Sequence, residues 1–332
     1  MAKFSILLPF IPRRSRQAIP FAELVSHTHA VRLWQGQALA VEPHQTFVHL
    51  AAAGIRVPVG LGVTLMPLRH PMEAALQARS VAQATGAPMV AGYGPGGKVF
   101  QTNVMGAPYR SQLTAVREYL TLVRGLLDGK TMEFQGEYFS YFGQLPPCPA
   151  PLVEVGLGVL RPGAARVAGE VADVAITWLT PASYIRDVIR PALTEGAQAA
   201  GRPVPRIAAI VPVALAHQDR DLTEVVLASN QAHLNAPHYR DMLRRAGIDL
   251  PGDDLGAMAK AAVAGGAFIF ASPDEVADRM QEFLAAGVDE IVLNVTGVRS
   301  AISVAAAQQE LERLLQLTES LAGPPPRFGR TT

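Results

Sequence analysis

Residues 57–71, VPVGLGVTLMPLRHP, hold a β-rich apolar run that stops at Gly60 and Gly62 and hands over to Arg69, His70 and Pro71 at a helix start. A strand that ends in glycines and feeds a helix is how an α/β enzyme brings backbone close to a ligand at the carboxyl end of its sheet. The stretch is therefore a candidate cofactor floor.

Outward from it, strand-like and helix-like segments alternate almost from end to end. Residues 4–8 read as a strand, 20–29 as a helix, 31–34 as a strand and 46–53 as a helix. The quoted stretch supplies a strand at 57–61, followed by a helix at 71–85 with proline in its first turn, a strand at 88–91 and an amphipathic helix at 111–127. A connector, LPPCPAP at 145–151, lies outside any element because proline lacks a donor and fixes φ. Beyond it come strands at 152–155, 174–177, 206–214 and 290–295, with helices at 163–171, 181–200 and 301–321.

Eight strands each followed by helical sequence predict an α/β chain folded as a closed (β/α)8 TIM barrel. A doubly wound sheet is the runner-up, weakened because no G-x-G-x-x-G follows the first strand. Residues 217–270 break the repeat and read as a helical insertion after strand 7, placed over the catalytic face. On this reading residues 1–322 form one domain, and 323–332, GPPPRFGRTT, form a disordered tail.

Composition narrows the function. A hydrophobic fraction of 49% against 17% charged describes a well-filled core. The net charge is +1 and the basic residues are dispersed, so nothing marks a nucleic-acid surface and the expected partner is a small molecule. Cys148 is the only cysteine, which excludes an internal disulfide and fits a reducing compartment. Pro9 and Pro12 interrupt the first apolar run, and no stretch is long enough to span a membrane, so a cytoplasmic protein is expected.

In a βα barrel the ligand meets the residues just after each strand. Here those are 9–10, 34–37, 62–64, 92–97, 156–161, 177–180 and 294–296, and few of them ionise. The eight histidines show no H-x-x-x-H or H-E-x-x-H spacing, so no metal site is expected. G-x-S-x-G and Walker A runs are absent too. GYGPGG at 92–97, with Gly94 and Gly96, lets backbone approach a ring or a phosphate, or is a plain loop. Trp34, with Gln35 and Gln37, either walls a flat cofactor or packs under a loop. GLGVLRPGAARVAGE at 156–170 ends a strand and starts a helix, so its free N–H groups and Arg161 make a candidate phosphate cradle. Such features suit an enzyme whose cofactor, flavin-like, does the difficult chemistry.

The order of VGLGVTLMPLRHP, AGYGPGG, REYLTLVRGLLDGKTMEFQGEYFS and AARVAGEVADVAITW resembles the luciferase-like flavin oxidoreductase superfamily. LWQGQ at 33–37, AGRPVPRIAAIVPVAL at 200–215 and YRDMLRRAG at 239–247 are similar to its branch that uses the deazaflavin coenzyme F420. The resemblance implies a (β/α)8 barrel holding the cofactor at the strand ends, with Gly62 and Val63 flanking a non-proline cis peptide behind the ring. It also implies Trp34 and Gln37 at the ring edge and Thr64 on its polar side. Gly158, Val159, Leu160 and Arg161, with Thr177 and Trp178, would take the phosphate and tail. Dimers are common in the superfamily, so a homodimer is an expected assembly. Two departures stand out. Pro95 and Gly96 follow Gly94 where many relatives carry a proton donor, and Arg161 precedes Pro162 where relatives tend to have glycine.

The resulting expectation is an F420H2-dependent reductase that delivers a hydride to an electron-poor C=C or C=N bond. His70, Tyr93 or a water is left to supply the proton, and His70 has an alternative as the cap of the helix at Pro71. An FMN-dependent monooxygenase and a non-catalytic cofactor-binding protein are the rival readings.

Overall fold

The structure, a computed structural model, describes residues 2–323. Eight parallel strands form a closed ring: β1 (Lys3–Leu7), β2 (Ala30–Gln35), β3 (Val59–Leu61), β4 (Met89–Gly94), β5 (Val153–Gly158), β6 (Val174–Trp178), β7 (Arg206–Leu215) and β8 (Glu290–Asn294). Each pairs with the next, and β8 returns to β1 with Ile6 opposite Leu293. This is the (β/α)8 barrel that the alternation predicts.

Side chains alternate across each strand, so the barrel has two cores. Leu7, Trp34, Val90, Val174, Ile176, Ala208, Ile210 and Val292 meet inside the ring. The opposite faces, including Phe4, Ile6, Leu33, Ala91, Tyr93, Leu157 and Leu293, pack against the outer helices. Below the inner core the ring is closed by charge. Glu290, fully buried, accepts from Ser5 Oγ (2.6 Å), Trp34 Nε1 (2.7 Å) and Arg206 Nη1 (2.7 Å). Arg206 also grips Glu154 with two bonds of 2.8 and 2.6 Å. Arg32 lies 3.4 Å from Glu290 and donates to the Val59 carbonyl at 3.1 Å.

Between β7 and β8 lie helices Leu222–Asn235, Pro237–Arg245 and Leu255–Ala264 and a short strand Ile269–Ala271, which extends the sheet beside the end of β7. Helix Val276–Ala285 then leads into β8. Other boundaries moved from those expected, each for a local reason. The helix expected from 46 starts at Pro43, because Glu42 accepts the Gln45 N–H and proline suits a first turn. The helix expected over 301–321 is two, Thr296–Ala301 and Val304–Thr318, divided where the Ser303 hydroxyl caps Ala306. The helix expected over 181–200 carries a π-type turn at Ile185–Ile189, just before Pro191, which has no N–H to continue an α ladder. A hairpin of Met132–Gln135 and Ser140–Gly143 was not expected, although Met132, Glu133, Phe134 and Gln135 alternate apolar and polar. Glu118 holds it by accepting the N–H groups of Glu137, Tyr138 and Phe139 at 2.7, 2.8 and 3.1 Å. The tail reading falls outside the described residues except for Gly323, whose N–H meets the Ala2 carbonyl.

Candidate functional site

The carboxyl ends of β3, β4 and β5 form a floor with almost no side chains. The Gly62–Val63 peptide bond is cis. Val63 is left standing where the neighbouring strands have only backbone. A Cβ on Gly94 would lie 2.8 Å from Val63 Cγ2, and one on Gly158 would lie 3.4 Å from Val63 Cγ1. One layer down, a Cβ on Gly92 would overlap the Leu61 carbonyl oxygen, and one on Gly156 would lie 2.8 Å from Ile176 Cδ1. Gly92 and Gly156 are required by close approach, whereas Gly94 and Gly158 face only the Val63 side chain at the mouth.

Several predicted ring contacts prove to be the supports of this floor. Gln37 accepts the Leu65 N–H through Oε1 at 2.8 Å, and its own N–H meets the Val63 carbonyl at 3.3 Å, so it pins the segment on both sides of Thr64. Thr64, fully buried, donates its hydroxyl to the Gly92 carbonyl at 3.0 Å and ties β3 to β4 instead of facing the mouth. Trp34 is also fully buried: its indole fills the barrel beneath Gly60 and Gly62, and its N–H belongs to Glu290. It props the floor from below and does not wall a ring edge. Gln35, beside it, lies on the helix-facing side and has both amide atoms buried without a partner among the described residues.

Both proton-donor candidates make other contacts. Tyr93 alternates outward between Gly92 and Gly94, donates to the Ala74 carbonyl at 3.3 Å and packs against Tyr119 with ring centroids 5.4 Å apart. Burial raises its pKa far above the usual tyrosine value, so it has neither position nor chemistry for the role. His70 caps helix Pro71–Thr85, accepting the Met72 N–H at Nδ1 (3.2 Å). Gly96, at φ +70°, turns the loop after β4, which Gln101 holds by donating to the Pro95 and Gly96 carbonyls at 3.0 and 2.9 Å. That loop is a built structure, with no ionisable group in it.

The facing wall rises from β6, β7 and β8. In a ring of eight, β7 is diametrically opposite β3, and a Cβ on Gly62 would come within 2.6 Å of Ile210 Cδ1. The barrel is thus filled at that level. Trp178 alternates inward at the end of β6, followed by buried Leu179 at φ +54°, a conformation unusual for a side chain of that size. His233, from helix Leu222–Asn235, stacks on Trp178 with centroids 5.5 Å apart and planes 24° apart, and Tyr239 meets His233 edge-on at 4.9 Å. Burial pushes the His233 pKa down to about 4, so the ring is neutral at physiological pH. Thr177 alternates toward the helices, and its buried hydroxyl has no partner among the described residues.

Arg161 stands at the start of helix Pro162–Val171, which has no side-chain cap. Gly158, Val159 and Leu160 lead into that helix, with the Val159 N–H committed to the Ile176 carbonyl at 2.8 Å. Arg161 pairs with Asp241 at 2.8 Å, and Arg244 and Arg245 share the same carboxylate at 2.9 and 3.0 Å. Three cations on one anion leave surplus positive charge beside an open helix N-terminus. The hydroxyl of Tyr184, buried to 3% exposure, has no partner among the described residues, and Arg161, Asp241 and Arg245 all lie close enough to perturb its acidity. Asp241, Tyr184, His233 and Asn294 escaped the sequence reading. Of these only Asn294 stood in a strand-end segment, while the others come from outer helices whose docking no periodicity reveals.

Comparison with known proteins agrees with this architecture. The chain is 29% identical over 267 residues to 5,10-methylenetetrahydromethanopterin reductase of Methanolobus tindarius, covering 75% of this chain and 80% of the relative. An F420-dependent glucose-6-phosphate dehydrogenase 2 of Rhodococcus jostii is 26% identical over 57% of this chain and 56% of its own. In fold, the chain superposes on the coenzyme F420 dependent tetrahydromethanopterin reductase of Methanopyrus kandleri with a TM-score of 0.75 at 21% identity, covering 97% and 99% of the two chains. It also matches an EDTA monooxygenase from Chelativorans at 0.71 and 15% identity, covering 98% and 95%. The sequence profile of luciferase-like monooxygenases matches residues 22–290, and with the barrel and its cis-peptide floor this establishes that the chain belongs to that family.

Proposed function

We propose that the protein is an F420H2-dependent reductase that delivers a hydride to an electron-poor C=C or C=N bond of a small organic substrate. The observation that carries the reading is the short path of chain from Gly158, beside Val63, to the helix start at Pro162. An apolar, glycine-framed floor at Val63 runs to an uncapped helix start beside Arg161, Arg244 and Arg245. A deazaflavin with a phosphorylated, carboxylate-bearing tail has that same division into a flat ring and an anionic chain. The name of the relative in Rhodococcus supports the same cofactor.

Val63 would back the ring, with Gly94 and Gly158 leaving room beside it. Gly163 and Ala164, whose N–H groups open the helix, would meet a phosphate, while the arginines would meet the tail. When bound and reduced, the deazaflavin supplies a hydride. The protein's part is to fix the floor, which Gln37 and Thr64 do by pinning Val63 from either side, and to exclude water with Trp178 and the helices between β7 and β8.

The test is anaerobic mixing of the protein, F420H2 and either cyclohexenone or pyrroline, following the return of oxidised F420 by its visible absorbance. Turnover with either acceptor is the expected result. Turnover only with reduced FMN and dioxygen would replace this reading with the monooxygenase one.

A further inference from the structure

The wall opposite the floor ends in hydrogen-bond donors that have nothing to donate to. Asn294 alternates inward at the end of β8 and is 1% exposed. Its Oδ1 accepts the Thr296 N–H at 3.0 Å, which fixes the amide orientation and leaves Nδ2 as an obligatory donor. Nδ2 is buried and has no partner among the described residues. The same is true of Trp178 Nε1, which can only donate. Trp178 lies in register with Ile210 of β7, and Asn294 with Pro212 of the same strand. The two therefore flank β7, on strands about 10 Å apart by ordinary sheet spacing. His233 stacks on Trp178 and holds its indole in place.

Buried donors left unsatisfied in a native fold call for an explanation. Resting on the reductase reading, we propose that Trp178 Nε1–H and Asn294 Nδ2–H bind the carbonyl oxygen of an α,β-unsaturated carbonyl substrate. When a hydride adds to the β-carbon of such a substrate, the C=C electron pair moves toward the carbonyl and negative charge grows on its oxygen. A solvent proton then completes the saturated product. Two such donors, at the ends of β6 and β8, would stabilise the charge as it develops, in the manner of an oxyanion hole. Neither donor can accept, so a protonated imine, which presents an N–H of its own, is disfavoured.

Two near-isosteric variants test this. Trp178→Phe keeps the ring under His233 and removes the N–H. Asn294→Asp keeps the acceptor for Thr296 and replaces the donor with an anion. Each is expected to lower kcat/KM for cyclohexenone about 10- to 100-fold, and Asn294→Asp to bind F420 within about 3-fold of the parent. The parent is expected to reduce cyclohexenone in preference to pyrroline. Without any cofactor, the parent should bind para-nitrophenol as its phenolate, read by visible absorbance, and Asn294→Asp should not. Unchanged cyclohexenone kinetics in both variants, or preference for pyrroline, would overturn the proposal. If F420 does not bind at all, the reductase reading fails, and the phenolate measurement still decides whether the donor wall exists.

Discussion

At the scale of single residues, the site depends on where a Cβ is missing. Gly92 and Gly94 lie on the same inward face of β4 but do different work. Gly92→Ala would drive a methyl into the Leu61 carbonyl and Ile176, so it should destabilise the fold by about 1–3 kcal/mol in denaturant unfolding, through overpacking. Gly94→Ala would meet only Val63 Cγ2, a side chain at the mouth, and should leave the unfolding midpoint nearly unchanged while weakening F420 binding at least about 10-fold. Equal effects of the two substitutions on stability would contradict the assignment of Val63 as the floor. The glycines were legible in the sequence because their need is local, whereas the cis peptide was implied only by the family resemblance. The direction of Trp34, Thr64 and Tyr93 was not, since a shift of one residue along a strand moves a side chain to the opposite face.

At the scale of elements, charged side chains hold pieces that periodicity does not place. Glu118 of helix Gln112–Leu127 gathers three N–H groups of the hairpin, and a Cβ on Gly136 would overlap its carboxylate. Glu118→Ala should therefore cost about 1–3 kcal/mol and expose the hairpin to proteolysis before the barrel opens. Unchanged protease resistance would show that the hairpin is held by its own pairing. The helices between β7 and β8 were legible as a break in the repeat, but not as the source of His233 and Asp241. Their contacts to Trp178 and Arg161 are long-range and leave no trace in spacing.

At the scale of the molecule, the barrel has two polar ends of opposite character. At the amino end Glu290 and Glu154 are ion-paired with Arg32 and Arg206, whereas at the carboxyl end the neutral donors Trp178 Nε1 and Asn294 Nδ2 are buried without a partner among the described residues. Burial alone would raise the Glu290 pKa, but Arg32 and Arg206 outweigh it and hold the carboxyl at about 2. An unfolded glutamate titrates near about 4.3, so Glu290 contributes stability in full above that pH and loses it as pH falls through about 2. Glu290→Gln leaves Arg32 and Arg206 short of their shared carboxylate. It should destabilise the protein by about 3–5 kcal/mol at neutral pH and flatten the acid limb of the stability curve. An acid limb identical to the parent's would show that other carboxylates control acid unfolding. The barrel was the most legible feature of the sequence, because eight βα repeats impose one closed architecture whatever their side-chain detail.

The proposed activity requires a mouth shaped for a flat ring with an anionic tail. Equilibrium titration of the apoprotein with F420 and, separately, with FMN, followed by fluorescence, tests this most directly. Micromolar or tighter binding of F420 with at least about 10-fold weaker binding of FMN is the expected result. Preference for FMN, or failure to bind either, would contradict it.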